Sequence, residues 1–500
     1  MKRVRLGALL LFAAWSAVPA NAADAPITEA DLRAHIEILA SDAYEGRAPG
    51  TPGETKAITY IAQQWASSGL KGGLSDGSWY QPVGLGEHRV TQSHMTLSGK
   101  GAKMDFGGDE VMLWTDLPSA GFKRLPMIFT GTGVDAQGRV IGDVRGKAVL
   151  VLLSDPVTRK RIDTAAVSSA LATAGAKAML QLAPEVFPWD GFKRAYAARV
   201  RLNPDQPGLP VEGVMRASAA AALFSANGLD LAKLSADAGK SGFRPVALRS
   251  RANLAAASEG RRFNSYNIVA KLPGKQGAAH GALLFLGHWD HFGICRDESE
   301  EDRICNGAVD NASGMAVLIE AARRLGRGPQ LDRDIYFLGT TAEEKGLLGA
   351  KAFVENPPIP LERIVAAFNI DTIAVAPKGE KVAIIGRGTT GLDSDIDRVT
   401  VRMGRKVEMG TDSNVMIQRQ DGWALKARGV PAVMVSGSFA DMKKLEAYLG
   451  ADYHGPKDEA NDKLELGGAA EDADLHVALA RHFGSLKEWP GPVLAPAVQP

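Results

Sequence analysis

Five short stretches of this 500-residue chain gather the residue types that hold cations and move protons. "FLGHWDHFG" carries His288, Asp290 and His291, and "NGAVDNASG" carries Asp310. "TTAEEKG" supplies Glu343 and Glu344, "FNIDT" supplies Asp371, and "DYHGPKDEAND" supplies His454. Each has an ordinary explanation when taken alone. A strand-terminal histidine is usually hydrogen-bonded in place, and Thr341 with Glu344 has capping-box spacing. Taken together, two imidazoles and three carboxylates suit a pair of divalent cations, with zinc natural for mixed nitrogen and oxygen donors. Two such ions sit about 3.5–4 Å apart, so one carboxylate can bridge them. Adjacent glutamates can divide the work, one holding metal and the other taking a proton from an activated water. Asp290, two residues beyond His288, is placed to accept the second ring N–H of that histidine and so orient it.

Such residues need a rigid mount. "ALLFLG", "DIYFLGTT" and "IVAAFNI" are short apolar runs of the kind that fold as buried strands, and the candidates follow their carboxyl ends. Open α/β sheets bind ligands at that edge. "ASGMAVLIEAARRLG" and "GLLGAKAFVEN" have helical spacing between the runs. The alternation predicts an α/β fold with a mixed, largely parallel central sheet flanked by helices. Two more helices are expected at 28–40 and 53–69, joined by the turn-rich "SDAYEGRAPGTPG". The texture changes near residue 85 to short strand-like runs, interrupted by an Ala-rich helix expected over 165–180. The expected organisation is an α/β domain split into 23–114 and 259–490 around a β-rich insert at 115–258. The Pro-rich stretch 491–500 reads as a loose tail.

The first 22 residues have the form of a secretory signal peptide: Lys2, Arg3 and Arg5, an apolar run, then "ANA". That implies an exported protein, periplasmic or secreted. No later run approaches the ~18 apolar residues of a spanning helix, so stable membrane insertion is not expected. A formal net charge of +1 gives no reason to expect nucleic acid as a partner. Cys295 and Cys305 bracket "RDESEED", and export makes a disulfide the expected state. "GLSDG" (73–77) fits G-x-S-x-G, yet no buried strand leads into it as a nucleophile elbow requires.

At the five metal-type motifs the sequence closely resembles the M28 family of zinc metallopeptidases, in the family's order and across residues 265–460. "LASDAYEGRAPGTPGE" (39–54) is similar to the family's N-terminal segment. The resemblance implies that Asp310 bridges two Zn2+ ions, that His288 and Asp371 complete one, and that Glu344 and His454 complete the other. It also implies that Glu343 is the general base and that Asp290 stands behind the histidine ligand. The insert looks like a protease-associated domain. The implied activity is hydrolysis of peptide substrates, first of all as an aminopeptidase. Carboxypeptidase and glutaminyl-cyclase-like chemistry stay open at the same ligands, and a non-catalytic binding module is the rival of a different class. In one departure, relatives often carry Ser-Asp-His before "GVPA", whereas "QDGWALKARGVPA" keeps Asp421 and has Gly422 at the His position. His291 and Tyr453 flank proposed ligands, and a structural hydrogen bond is the expected role of His291.

Overall fold

A computed structural model describes residues 25–494, apart from 100–102, 159–161, 186, 188, 190–191, 194–197 and 203–207. The signal-peptide reading and the last six residues lie outside the described residues. The chain divides into two compact units, Met1–Pro82 with Tyr266–Pro500, and Val83–Ser265.

In the first unit the helices α1 (Glu29–Leu39) and α2 (Pro52–Ser67) form where the spacing predicts them. Thr28 caps α1 by accepting from the Asp31 amide at 3.2 Å. The strand β1 (Val246–Leu272) contributes its last residues to this unit. Then follow β2 (Ala282–His288), α3 (Gly314–Arg327), β3 (Asp334–Thr340), α4 (Leu348–Glu355), β4 (Ile364–Asn369), β5 (Ala383–Ile385), α5 (Asp393–Arg402), β6 (Ala432–Ser436), α6 (Met442–Ala451) and α7 (Leu466–Gly484). Across the sheet the order is β5-β6-β4-β2-β3-β1. β2 is parallel to both β3 and β4, and β4 is parallel to β6, while β1 and β5 are antiparallel to their neighbours. This is the mixed, largely parallel α/β sheet that the alternation implies.

The continuous apolar runs are explained by cover on both faces. Alternate residues point opposite ways. Leu283, Phe285, Ile335, Phe337, Phe368 and Val433 pack with α1, α2, α3 and α7. Leu284, Leu286, Leu338, Ala367 and Ala432 pack with Phe353 and Val354 of α4 on the other face. Phe285 lies between Phe337 and Phe368, with ring centroids 5.8 and 5.1 Å away. A strand set that is buried on both faces cannot shift by one residue without exchanging its large and small side chains, so its carboxyl ends are held in register.

The second unit also combines strands and helices. Ser119–Phe129, Ala148–Leu152, Ala178–Leu182 and Val211–Met215 run parallel in that order, with Val111–Trp114 antiparallel to the last. The helix expected over 165–180 covers only Thr164–Thr173. Gly175, at φ +85°, ends it, and Ala178–Leu182 becomes a fully buried strand instead. Residues 83–114, expected with the split domain, pack in this unit. Their backbone bonds run there, Leu85–Arg89 to Ala198–Leu202 and Val111–Trp114 to Val211–Met215. Among the described residues, no helix is long and apolar enough to cross a membrane.

Candidate metal centre

The carboxyl ends of β2, β3 and β4 deliver His288, the segment 341–347 and Asp371 to one edge of the first unit's sheet. His288 is the last residue of β2 and is 1% exposed. Its Nδ1 lies 3.0 Å from the main-chain carbonyl of Asp290, an acceptor only. Nδ1 therefore carries the proton, and Nε2 presents a lone pair. The Asp290 carboxylate, expected to perform this orienting, is 3.8 Å from Nδ1 and accepts the Glu343 amide at 3.1 Å. The tight turn after β2 brings the carbonyl, rather than the side chain, back to the ring. Asp290 still orders the site, by fixing the segment that carries both glutamates.

Asp310 sits just before α3, on an irregular turn whose Asp310–Asn311 peptide is cis. The "NASG" that follows explains how the turn is tied down. Asn311 donates to the Ile370 carbonyl at 3.0 Å and accepts from the Gly314 amide at 2.9 Å. Ser313 donates to the Val309 carbonyl at 2.7 Å and accepts from the Ile373 amide at 3.1 Å. Side chains that follow Asp310 are thereby bonded to the backbone on either side of Asp371.

The seven expected residues come together. His288 Nε2 lies 3.1 Å from Asp310 Oδ1, 3.5 Å from Asp371 Oδ1 and 4.0 Å from Glu343 Oε2. His454 Nε2 lies 2.9 Å from Glu344 Oε2 and 3.3 Å from Asp310 Oδ2. Asp310 thus faces both histidines, one oxygen to each. Despite these separations, His288 Nε2, Asp310 Oδ2, Glu344 Oε1 and His454 Nε2 are buried without a hydrogen bond. Leaving such atoms unmet costs on the order of 1–3 kcal/mol each. Atoms of His288, Asp310 and Glu344 that could hold a cation lie within 4.8 Å of one another. Converging, unsatisfied nitrogen and carboxylate donors fit divalent cations, and their chemistry suits zinc.

Several backbone positions here are unusual. Ala342, Leu347, Thr372 and His454 all have positive φ, between 51° and 61°. Such conformations cost free energy and persist where surrounding structure enforces them, often at functional sites. They also explain why "TTAEE" does not open a helix, since α4 begins only at Leu348. The electrostatics separate the two glutamates. Burial holds Glu343 well above the ordinary carboxylate range, and Asp290 up to about 7. Burial acts on Glu344 too, but His454 and His291 overcome it and take Glu344 down to about 2. Access is from the His454 side, where the side chain is 34% exposed against 2–11% for His288, Asp371 and the two glutamates.

Of three further contributors, His291 was expected only to make a structural hydrogen bond, and Asp458 and Arg47 carried no expected role. His291 is fully buried with Nδ1 2.6 Å from Glu344 Oε1, so it backs a candidate ligand from behind. Its place in "HWDH" was the available signal. Asp458 accepts the amides of Val309 and Asp310 at 2.9 and 3.0 Å, and the Tyr448 hydroxyl at 3.0 Å. It lies inside "DYHGPKDEAND" but reads there as one acid among several. Arg47 is the third, buried although it comes from the loop between α1 and α2. Tyr453 stacks on His454 with centroids 3.6 Å apart, and Phe292 meets the same ring at 4.5 Å. Asp421 accepts from the Thr340 hydroxyl at the end of β3. Cys295 and Cys305 are disulfide-bonded, with Cα atoms 5.8 Å apart. Ser75 of "GLSDG" lies on an exposed turn.

Residues 267–479 match the model of Peptidase family M28. Aminopeptidase YwaD of Bacillus subtilis (strain 168) is 39% identical over 71 residues, 14% of this chain and 15% of its own length. Probable lipoprotein aminopeptidase LpqL of Mycobacterium tuberculosis is 38% identical over 69 residues, 14% of each chain. These two matches therefore span about one seventh of the curated relatives' length. The solved aminopeptidase from Aneurinibacillus sp. strain AM-1 shares the fold at a TM-score of 0.57, with 19% identity over 95% of this chain and 97% of that one. The motif-bearing segment 267–479 is thus similar to Peptidase family M28, and the chain shares its fold with the Aneurinibacillus aminopeptidase.

Proposed function

We propose that this chain is an exported metallopeptidase that uses two zinc ions to remove residues from the amino ends of peptides. Its carrying observation is the placement of Asp310, whose two oxygens face His288 and His454 respectively, while donor atoms of all three stay without hydrogen bonds. His288 and Asp371 would hold one ion, Glu344 and His454 the other, and Asp310 both. Bound zinc would supply a Lewis acid that polarises the scissile carbonyl and makes water acidic enough to attack near neutral pH. Glu343 takes the proton of the attacking water at its carboxylate and returns it to the departing amine. Asp290 keeps Glu343 in place through the Glu343 amide. The aminopeptidase choice is supported by the names of the relatives, YwaD and LpqL. Export is supported by the signal-like first 22 residues. The insert 115–258, within the second unit, is proposed as a protease-associated domain.

Metal content of the mature protein, measured beside Asp310→Ala, tests the reading. About two zincs per chain, largely lost in the variant, are expected. A panel of free, N-blocked and C-blocked peptides should then show cleavage that requires a free amino end. No zinc in either protein, even after incubation with the metal, would overturn the reading in favour of a binding module. Cleavage that requires a free carboxyl end would make the protein a carboxypeptidase.

A further inference from the structure

Arg47 is buried to 1% exposure, although it comes from the loop between α1 and α2 rather than from the sheet. A buried guanidinium normally faces a carboxylate. The hydrogen bonds of Arg47 instead all go to main-chain carbonyls. Nε donates to Trp289 at 2.8 Å, Nη1 to Leu39 at 2.5 Å and Asn306 at 2.6 Å, and Nη2 to Gly307 at 3.0 Å. Trp289 lies between His288 and Asp290, and Asn306 and Gly307 lead directly into the turn that carries Asp310. One planar group therefore holds two of the segments that bring candidate ligands, together with the end of α1.

The chain contorts to place it. Glu45, Gly46 and Arg47 are three consecutive residues with positive φ, at 51°, 61° and 54°. Gly46 also has no room for a side chain, since a Cβ would lie 2.3 Å from the Cys305 carbonyl oxygen and 2.8 Å from the Gly293 Cα. Close to Arg47, the Asp458 carboxylate takes the amides of Val309 and Asp310. The Asp310 segment is thus held at its carbonyls by Arg47 and at its amides by Asp458.

We propose that Arg47 is a positioning residue, setting the His288 segment against the Asp310 segment so that their donors meet at one cation-binding point. This rests on the metallopeptidase reading above. It predicts a dependence on the fork-shaped donor set itself, which a lysine cannot reproduce from a single nitrogen. Arg333 provides the control. Among the described residues it too donates only to carbonyls, those of His280, Phe483, Trp489 and Pro490, none of which adjoins a candidate ligand.

Arg47→Lys and Arg333→Lys are compared with the parent by three readouts. These are zinc affinity in competition with a chromophoric chelator, the melting temperature of the metal-free protein, and kcat and KM on a peptide with a free amino end. Arg47→Lys is expected to lose about 10–100-fold in zinc affinity, with kcat reduced and KM within about twofold of the parent. Arg333→Lys is expected to melt lower with zinc affinity unchanged. If Arg47→Lys does not fold, Arg47→Ala is prepared in ethylguanidinium, which should restore zinc retention. The proposal is overturned if Arg47→Lys loses only stability, as the control does, or if neither Arg47 variant folds, which would make the residue part of the general framework. A parent that binds no zinc would instead defeat the metallopeptidase reading itself.

Discussion

Glu343 and Glu344 are adjacent in sequence and opposite in circumstance. Glu344 is directed at His454 and His291, whose rings outweigh its burial and keep it ionised. Glu343 stands 4.0 Å from His288 Nε2, with burial favouring its neutral form. Pairs of acids whose surroundings drive them apart in this way mark a division between ligand and proton carrier. Glu343→Gln keeps the volume and removes the basic oxygen. It should retain the parent's metal content and lose about 10²–10⁴-fold in kcat, with KM little changed. Elemental analysis and steady-state kinetics on one preparation check both halves. Loss of metal in this variant would place Glu343 among the ligands. At this scale the sequence shows which side chains have donors but not where main-chain atoms go. All seven proposed residues are legible in the motifs. The carbonyl that orients His288, and the carbonyls held by Arg47, are not, because they depend on the path of turns with positive φ.

Elements were most legible where burial is two-sided. "ALLFLG", "DIYFLGTT" and "IVAAFNI" could be recognised because a strand covered on both faces leaves few polar positions, and these fall at its ends. The Ala-rich stretch at 165–180 misled because its helix-favouring residues run almost to the strand Ala178–Leu182, and the break lies only in the conformation of Gly175. The long helix α7 carries a further consequence of burial. His476 is wholly buried and its Nδ1 lies 2.7 Å from the Asp472 carbonyl, and desolvation lowers its proton affinity. In the unfolded chain the imidazole titrates near 6.5. Below that pH the unfolded state takes up the proton that the folded state resists, so stability falls as pH drops toward the lower folded value. Above it the contribution is complete. His476→Phe, which would extend the edge contact already made with Phe285, removes this term. Melting temperatures between roughly pH 7 and pH 5 should fall less steeply for the variant than for the parent. Parallel curves would show that His476 is not the group being protonated.

Across the whole molecule, charge is unevenly distributed. Its formal net value is only +1, yet Asp290, Asp310, Glu343, Glu344 and Asp371 are gathered at one buried edge of the first unit's sheet. Arg47 is the buried guanidinium beside them, with Asp458, Asp290, Asp310 and Glu344 as its charged neighbours. Packing that many carboxylates together is unfavourable unless cations occupy the middle of the group. Bound metal should therefore stabilise the fold by about 4 kcal/mol at a thousandfold excess over its dissociation constant. Removing it should be felt first by the segments that carry the acids. Under a strong chelator, hydrogen exchange should accelerate at 288–291, 306–311 and 341–347, and return to the original rate when zinc is restored. The strands Ala148–Leu152 and Ala178–Leu182 have their own buried partners in the second unit and contain none of these acids. Their exchange should be unchanged. An equal loss of protection in both units would mean that metal supports the chain as a whole rather than this edge. Unaltered exchange at all three loops, in protein shown to have lost its zinc, would mean that the acids are held apart by the fold alone.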